Sequence, residues 1–249
     1  MWERRHAFPV PERLPSGHRR YRAEDVERVA QVLRERKAGL SVSAAIERVR
    51  RSGEETEPSL FAGIRRRRPD LQPVLLRKPL LLALTRAIED ESCAQAERPL
   101  LFGSFQRERF FRASARRWRE FARTAELAAV FADFERFRAG PPAEVPVDRS
   151  APLTREWAVV CSAPGHAVCL SGLELPTPGR RSDGAREFEV LWSVEPAVVR
   201  AATEICLALL PMDHPGLADT WVLRSAPSAD QQLRLATAIT TRAFGRLSR

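Results

Sequence analysis

The 249-residue sequence lacks the features that would place it among membrane, secreted or catalytic proteins. It has no apolar run approaching the roughly 18 residues that a membrane span needs, and no apolar stretch follows the basic N-terminus as in a signal peptide. The four cysteines are widely spaced, which favours reduced thiols in a cytoplasmic protein. The glycine-rich, P-loop, serine-hydrolase and zinc-protease motifs are all missing. We therefore expect no enzyme activity, no cofactor and no membrane association.

Lysine is also scarce, because Lys37 and Lys78 are the only two among 41 basic residues. A G+C-rich genome produces such an arginine bias by itself, so the net charge of +9 is weak evidence of function. The distribution of charge is more informative. Residues 1–53 hold 13 Lys and Arg against 7 Asp and Glu, whereas the remaining residues hold 28 against 25. This asymmetry indicates a nucleic-acid-binding module attached to a nearly neutral domain.

The N-terminal stretch WERRHAFPVPERLPSGHRRY has the residue types of a DNA-binding wing. Gly17 permits a tight hairpin turn, and arginine side chains grip phosphates through two parallel hydrogen bonds. The side chains expected to contact DNA are Arg4, Arg5, Arg13, His18, Arg19, Arg20 and Tyr21. In the order and spacing of these residues, positions 1–51 resemble the winged helix-turn-helix of MerR-type transcription regulators. In that family a W/Y-E-R segment closes the recognition helix and a G-[YH]-R-x-Y segment forms the wing.

The same resemblance implies a first helix, a turn and most of a recognition helix before the W-E-R segment. We therefore expect a truncated reading frame in which an internal methionine is taken as the start. A chain beginning at Met1 would hold phosphates through the wing without reading bases in the major groove. Ala7 stands where the family usually has glycine.

Further segments resemble the DICT domain, a sensory module found with diguanylate cyclases, two-component proteins and MerR-type regulators. The segments that carry the resemblance are SLFAGIRRRRPDLQP, LLALTRAIEDE, RPLLFGSFQRERFFR, RWREFARTA and VFADF, and it covers residues 58–210. It implies that this part of the chain receives a signal, a small molecule or a protein. MerR-type regulators usually dimerise through a long helix, and no heptad pattern occurs between residues 53 and 78. We expect a homodimer formed by the DICT-like part or by the last helix.

Three segments follow from these resemblances and from the change in composition at SGEETEP. They are a partial winged helix-turn-helix (1–53), a linker (54–58) and a DICT-like sensory domain with a C-terminal helix (59–249). In the third segment, apolar periodicity predicts strands alternating with helices, a hairpin over 156–175, and loops at 137–147 and 177–185. The predicted fold class is α+β, an α/β-like sandwich with a central sheet, preceded by a small, mostly helical winged-helix remnant.

The segment FGSFQRERFF is the candidate ligand site, since it brings aromatic side chains and one amide to a strand end and a helix start. The residues proposed to line the site are Phe102, Phe105, Gln106, Phe110 and Trp192, with Phe111 and Trp157 as further candidates. Plain core packing remains the alternative for each of them.

Cys161, His166 and Cys169 have metal-ligand residue types near a turn, but their spacing fits no standard zinc site. Buried core cysteines are favoured there, and no metal is expected. The carboxylates of Glu89, Asp90 and Glu91 are adjacent in sequence, which is typical of a solvated face rather than of an acid–base pair.

The sequence thus predicts a DNA-binding transcription regulator in which a DICT-like domain receives a signal and controls a MerR-like winged domain. One alternative is a DICT-type protein-interaction module with no effective DNA binding. Another is a metal or redox switch on the cysteines.

Overall fold

The computed structural model describes residues 8–9, 12–13, 19–21, 23–37, 41–43, 45–46, 59–176, 182–211 and 226–248. The chain divides into two compact units, residues 1–57 and residues 58–249. The linker predicted at 54–58 lies outside the described residues.

The first unit contains a two-stranded hairpin followed by a helix. Strand β1 (Glu12–Arg13) pairs antiparallel with β2 (Arg19–Arg20), as the wing-like sequence predicts, and helix α1 (Ala23–Lys37) follows. Residues 42–43 and 45–46 are also helical. Among the described residues of this unit, the buried apolar side chains are Phe8, Val32, Ala45 and Ile46.

In the second unit, the described residues form one mixed sheet of seven strands. The strands are β3 (Val74–Arg77), β4 (Leu100–Ser104), β5 (Leu127–Ala132), β6 (Ala143–Pro146), β7 (Glu156–Ala163), β8 (His166–Glu174) and β9 (Glu187–Ser193). Their order across the sheet is β3-β9-β8-β7-β4-β5-β6. The β4–β5 and β5–β6 pairs are parallel and the others are antiparallel. This topology confirms the predicted α+β class.

Helices cover both faces of the sheet. They are α2 (Leu60–Arg67), α3 (Lys78–Ile88), α4 (Glu108–Ala122), α5 (Pro196–Ala208) and α6 (Ala229–Leu247). Because side chains alternate along a strand, the sheet supplies two separate cores. One core packs under α3, α4 and α6, and the other packs under α2 and α5. We call these the α3/α4 face and the α2/α5 face.

The predicted hairpin over 156–175 is confirmed, since β7 and β8 pair in register from Glu156↔Leu173 to Ala163↔His166. Gly165 has φ +76°, a conformation that glycine adopts without strain, and this closes the two-residue turn. The prediction of a loop over 137–147 is wrong in its second half. Residues Ala143–Pro146 form the edge strand β6, whose backbone pairs with β5.

Strand β3 was not predicted from the sequence. Of the loop predicted at 177–185, residues 177–181 lie outside the described residues, and Asp183–Ala185 form one 3₁₀ turn. Within the described part of the chain, no helix has both the length and the apolar character that crossing a membrane requires.

Candidate functional site

A cavity of about 180 Å³ lies between the sheet and the helix pair α3 and α4. Strands β4 and β7 form its floor, and helices α3 and α4 form its sides. Its apolar lining consists of Leu82, Phe105, Phe110, Ala113, Trp118, Trp157, Ala158 and Val159. Its polar lining consists of Lys78, Thr85, Arg86, Glu89, Ser104, Gln106, Ser114 and Arg186. Leu82 and Ala113 are exposed, so the cavity opens to solvent between the two helices.

Rigid aromatic rings create this space. Trp118 is buried against Gly103 of β4, where an added Cβ would lie only 2.5 Å from the indole Cη2 atom. Phe105 contacts the edges of Phe111 and Trp118, with ring centroids 5.3 and 5.6 Å apart. Because such rings cannot bend to fill a gap, the volume between them and Trp157 stays open.

One end of the cavity carries an arginine held in place by hydrogen bonds. Arg186 donates to both carboxylate oxygens of Glu174, at 2.7 and 2.6 Å, and also to Gln106 Oε1. The Gln106 amide in turn donates to Glu174 Oε2 at 2.6 Å. Burial acts to raise the pKa of the Glu174 carboxyl, but the hydrogen bonds from Arg186 and Gln106 outweigh it and hold that pKa below its usual value. The guanidinium is therefore fixed beside the cavity.

Lys78 stands at the same end, at the start of α3. Its ammonium lies 5.8 Å from the centre of the Phe110 ring and pairs with the Asp183 carboxylate. Arg186 Nη1 also approaches Asp183, at 3.3 Å. The hydrogen bond from Lys78, with a smaller contribution from Arg186, holds the pKa of the Asp183 carboxyl below its usual value. The side chain of Asp183 is 68% exposed, whereas that of Lys78 is 18% exposed.

The opposite end of the cavity carries a carboxylate, Glu89, that the sequence predicted to be solvated and that is instead buried. Glu89, just after α3, lies 2.8 Å from Arg86 Nη1 and 2.7 Å from Arg117 Nε, and it accepts a hydrogen bond from the Trp118 indole at 3.3 Å. Two guanidinium groups and one indole N–H therefore surround this carboxylate, and its charge is compensated within the protein.

A second buried carboxylate lies next to the cavity wall, on the other face of the sheet. Glu156 is fully buried and accepts hydrogen bonds from the Ser59 hydroxyl at 2.5 Å, from Leu60 N at 2.9 Å and from Phe61 N at 3.0 Å. It thereby caps α2, the first helix of the second unit. Burial raises the pKa of the Glu156 carboxyl despite these hydrogen bonds. Its neighbour in β7, Trp157, lines the cavity.

The structure brings together three of the five ligand-site residues proposed from the sequence, because Phe105, Gln106 and Phe110 all line the cavity. Phe102 lies on the α2/α5 face, where it stacks on Phe131 at a centroid distance of 6.4 Å. Trp192 packs on the α3/α4 face but does not line the cavity. Of the further candidates, Trp157 lines the cavity and Phe111 packs behind Phe105.

Sequence reasoning missed the charged lining residues Lys78, Arg86, Glu89 and Arg186. Lys78 and Arg186 are separated by more than one hundred residues, and they meet because the Lys78 N–H donates to the Arg186 carbonyl at 2.9 Å. The sequence carries no local signal for that pairing.

The residues proposed to contact DNA fall in the first unit. Arg13 lies opposite Arg19 in the β1–β2 hairpin, and Arg20 follows in β2. Tyr21, directly after β2, is 43% exposed. Arg4, Arg5 and His18 lie outside the described residues.

The four cysteines are buried. Cys161 faces the α3/α4 core and Cys169 faces the α2/α5 core, so the sheet separates the two side chains that a shared metal site would need. Among the residues that the structure describes, no three His, Cys, Asp or Glu side chains are grouped as metal ligands. Burial raises the pKa of the Cys169 thiol to about 12, and a hydrogen bond with Cys161 together with burial raises that of Cys93. The reactive thiolate is therefore scarce at both positions.

Two family models match the chain. Residues 59–174 match the DICT model, described as the sensory domain in diguanylate cyclases and two-component system, and residues 1–52 match the model of the MerR HTH family regulatory protein. Both families are regulatory or sensory rather than catalytic. Neither the curated proteins nor the solved structures gave a match to this chain. The protein therefore joins a MerR-family helix-turn-helix segment to a DICT sensory domain, and it is a sensor-regulated, DNA-binding transcription regulator.

Proposed function

We propose that a small molecule bound in the α3/α4 cavity is the signal, and that its binding changes the DNA affinity of residues 1–52. The observation that carries the proposal is the cavity itself. It has about 180 Å³ of space, aromatic walls and fixed charged groups, and it lies almost wholly within the segment that matches the sensory family. A concave apolar site with a few placed polar groups is the usual form of a small-molecule site.

A short path leads from the cavity to the beginning of the second unit. Trp157 lines the cavity, and the next residue along β7, Glu156, holds the N-terminus of α2 through Ser59, Leu60 and Phe61. A ligand that displaces Trp157 would shift Glu156, and the start of α2 would move with it. Because α2 begins two residues after the division between the units, such a movement is delivered to the chain segment that leads to residues 1–57.

On the DNA side, we propose that the hairpin β1–β2 holds phosphates. Arg13, Arg19 and Arg20 lie on its two short strands, and Tyr21 follows directly. Arg4, Arg5 and His18 belong to the same proposed contact set. These residue types fix a protein on the duplex backbone without reading sequence.

We also propose that the protein acts as a homodimer through α6. Leu233, Phe244 and Leu247 are exposed on that helix at spacings that place them on one side, whereas Leu235, Ile239 and Ala243 pack on the core. Sedimentation would test this proposal. Phe244→Ser should shift the protein towards monomer, and Leu75→Ser, which changes an exposed apolar residue on the edge strand β3, should not.

DNA binding is tested by titrating the chain with a duplex of arbitrary sequence at several salt concentrations, because the proposed contacts are to the backbone. The double variant Arg19→Ala/Arg20→Ala should weaken binding and lower the salt slope by about one unit for each phosphate that the hairpin no longer neutralises. The control is Arg116→Ala/Arg119→Ala, which removes the same charge from exposed positions of α4. An equal weakening in both variants would contradict a phosphate-binding hairpin. No binding by the unsubstituted chain would favour the alternative, a DICT-type protein-interaction module.

Signal control is tested by filling the mouth of the cavity. Ala113→Trp places a large ring at an exposed lining position, and Ala197→Trp makes the same change at an exposed position in the first turn of α5. We expect the first variant to alter DNA affinity and the second to leave it unchanged. Equal DNA affinities for the two variants would show that the cavity does not control DNA binding.

A further inference from the structure

We infer that the cavity takes a monocyclic aromatic carboxylate, with the ring between the aromatic walls and the carboxylate on Lys78 and Arg186. This inference rests on the proposed function only in taking the cavity as the sensory site. The class of ligand follows from the cavity's size, its walls and the charges at its two ends.

The size limits the ligand to one ring with a short substituent. An apolar protein cavity of about 150 Å³ is sufficient to bind benzene, and the volume here is about 180 Å³. A fused ring system would have to extend through the mouth beside Leu82 and Ala113 into solvent.

The walls suit a flat apolar ring. Phe105, Phe110, Trp118 and Trp157 come from a strand end, a helix and a neighbouring strand, so aromatic surfaces face the space from several directions. Aromatic pairs add edge-to-face or offset contacts to the ordinary gain from burying apolar area. A flexible aliphatic chain of the same volume would gain less here and would lose more conformational entropy on binding.

The charges at the two ends are not equivalent. At the Glu89 end, the carboxylate is already surrounded by Arg86, Arg117 and the Trp118 indole, so it is not available to hold a ligand cation. At the other end, Lys78 and Arg186 place two cations beside the space, and Glu174 compensates one of them through two short hydrogen bonds. Asp183 offsets the other cation, so this end attracts an anion only when Asp183 moves away from Lys78.

The remaining partner of this end is an internal carboxylate that a ligand can replace. Asp183 pairs with Lys78 and approaches Arg186, yet its side chain is 68% exposed and it lies in a single 3₁₀ turn. Because the Asp183 carboxylate is mostly exposed, water can take the place of its contact with Lys78, so exchanging Asp183 for a ligand carboxylate costs little. The ligand's charge then meets a Lys78 side chain that is mostly buried, where the interaction is stronger than at the surface.

The test compares benzoate with benzamide, which has nearly the same shape without the charge, by isothermal titration and ligand-observed NMR on the full chain. Benzoate should bind more tightly than benzamide. Lys78→Gln should lower the affinity for benzoate at least about tenfold and leave the affinity for benzamide unchanged, because a hydrogen bond to a charged group contributes about 1.5–3 kcal/mol. Lys78→Arg should retain benzoate binding, and Asp183→Asn should strengthen it by removing the competing carboxylate. Ala113→Trp should abolish binding of both probes, whereas Ala197→Trp should not.

Two outcomes would overturn the carboxylate assignment. One is equal affinity for benzoate and benzamide, and the other is a benzoate affinity that does not change in the Lys78 and Asp183 variants. Failure of both probes to bind would overturn the ligand class. These outcomes are distinct from failure of the proposed function. If benzoate binds as expected but neither benzoate nor Ala113→Trp alters DNA affinity, the ligand assignment is supported and the proposed control of DNA binding is contradicted. If no probe binds but Ala113→Trp still alters DNA affinity, the ligand assignment is contradicted and the proposed control of DNA binding is supported.

Discussion

The two faces of the central sheet are packed in different ways. On the α2/α5 face, the gap beside Phe102 and Phe131 has no room even for a water molecule. On the α3/α4 face, a space of about 180 Å³ remains beside Phe105 and Trp118. The same strands, β4 and β7, contribute to both faces, so the backbone of the sheet does not account for the difference.

The difference lies in what each helix pair brings to the sheet. Helices α2 and α5 present mostly aliphatic and small side chains, and ion pairs from Arg67 to Glu204 and from Arg68 to Glu195 tie them together at the surface. Helix α4 presents Phe111, Trp118 and Phe121. Aliphatic side chains interdigitate, whereas large rings in edge contact hold one another apart. One face therefore contributes stability, and the other combines stability with a cavity.

The largest expected effect comes from removing one ring on each face. Phe102→Ala should lower the free energy of unfolding by about 3–5 kcal/mol, because it opens a cavity in a closely packed core. Phe105→Ala should cost about 1–2 kcal/mol, since this ring is only half-buried and already borders open space. Urea unfolding followed by tryptophan fluorescence measures both. Equal losses of stability would mean that the α3/α4 face is as closely packed as the other.

A smaller effect is expected at Gly103, which lets Trp118 reach the sheet. Gly103→Ala places a Cβ 2.5 Å from the indole and should destabilise the protein by about 1–3 kcal/mol. The matched control is Gly245→Ala on α6, where no atom lies within 4 Å of the added Cβ. That change should stabilise the protein by about 0.4–1 kcal/mol. If Gly103→Ala were also stabilising, the indole would not be fixed against the strand.

The cap at Glu156 gives the α2/α5 face a pH dependence. The folded state raises the pKa of this carboxyl above its ordinary value of 4.5, so its contribution to stability is complete below pH 4.5 and declines as the pH rises through the raised pKa. Glu156→Gln cannot titrate, and its amide oxygen can still accept the two backbone hydrogen bonds from α2. The stability of the native protein relative to Glu156→Gln should therefore fall as the pH rises from about 4.5 towards neutrality. A constant difference across that range in urea unfolding would show that the carboxyl does not titrate within it.

The smallest effect compares two buried threonines, one on each face. Thr85 donates to Leu81 O at 2.9 Å and lines the cavity, and Thr203 donates to Val199 O at 2.8 Å within α5. Thr203→Val should be neutral or slightly stabilising, because the carbonyl it leaves retains its helix hydrogen bond. Thr85→Val should give a free energy of unfolding about 0.5 kcal/mol less favourable than the Thr203→Val change does, since it also removes a hydroxyl that water in the cavity can reach. Thermal unfolding of the two variants gives the difference, and identical values would indicate a dry cavity.

The inner strands and the helices of the second unit could be predicted from the sequence because their signals are local. The β7–β8 hairpin has apolar strands around a Pro-Gly turn, and α5 and α6 have regular apolar spacing. The edge strands could not be predicted. Val74–Arg77 stands between two prolines, Ala143–Pro146 contains one, and each is four residues long with a partner on one side. Such segments are strands only because a neighbouring strand supplies hydrogen bonds.

The candidate site was partly predictable for the same reason. The segment FGSFQ places aromatic rings and an amide at a strand end. The alternation of side chains along β4, continued one residue beyond its end at Ser104, puts Phe102 and Phe105 on opposite faces. Applying that alternation to the sequence would have removed Phe102 from the proposed lining. Lys78 and Arg186 could not have been assigned in this way, because the pairing of β3 with β9 brings their elements together.

The place of β3 in the sheet also has a consequence for protein synthesis. Val74 pairs with Val190, so β3 leaves the ribosome more than one hundred residues before the strand that it needs. At about 5–20 residues per second, that interval lasts roughly 5 to 25 seconds. During this time the backbone of β3 has no partner, and its Val74 and Leu75 side chains remain exposed even in the finished protein. The nascent chain thus carries an unpaired apolar segment throughout that interval, and a chaperone that binds such segments would act on it there.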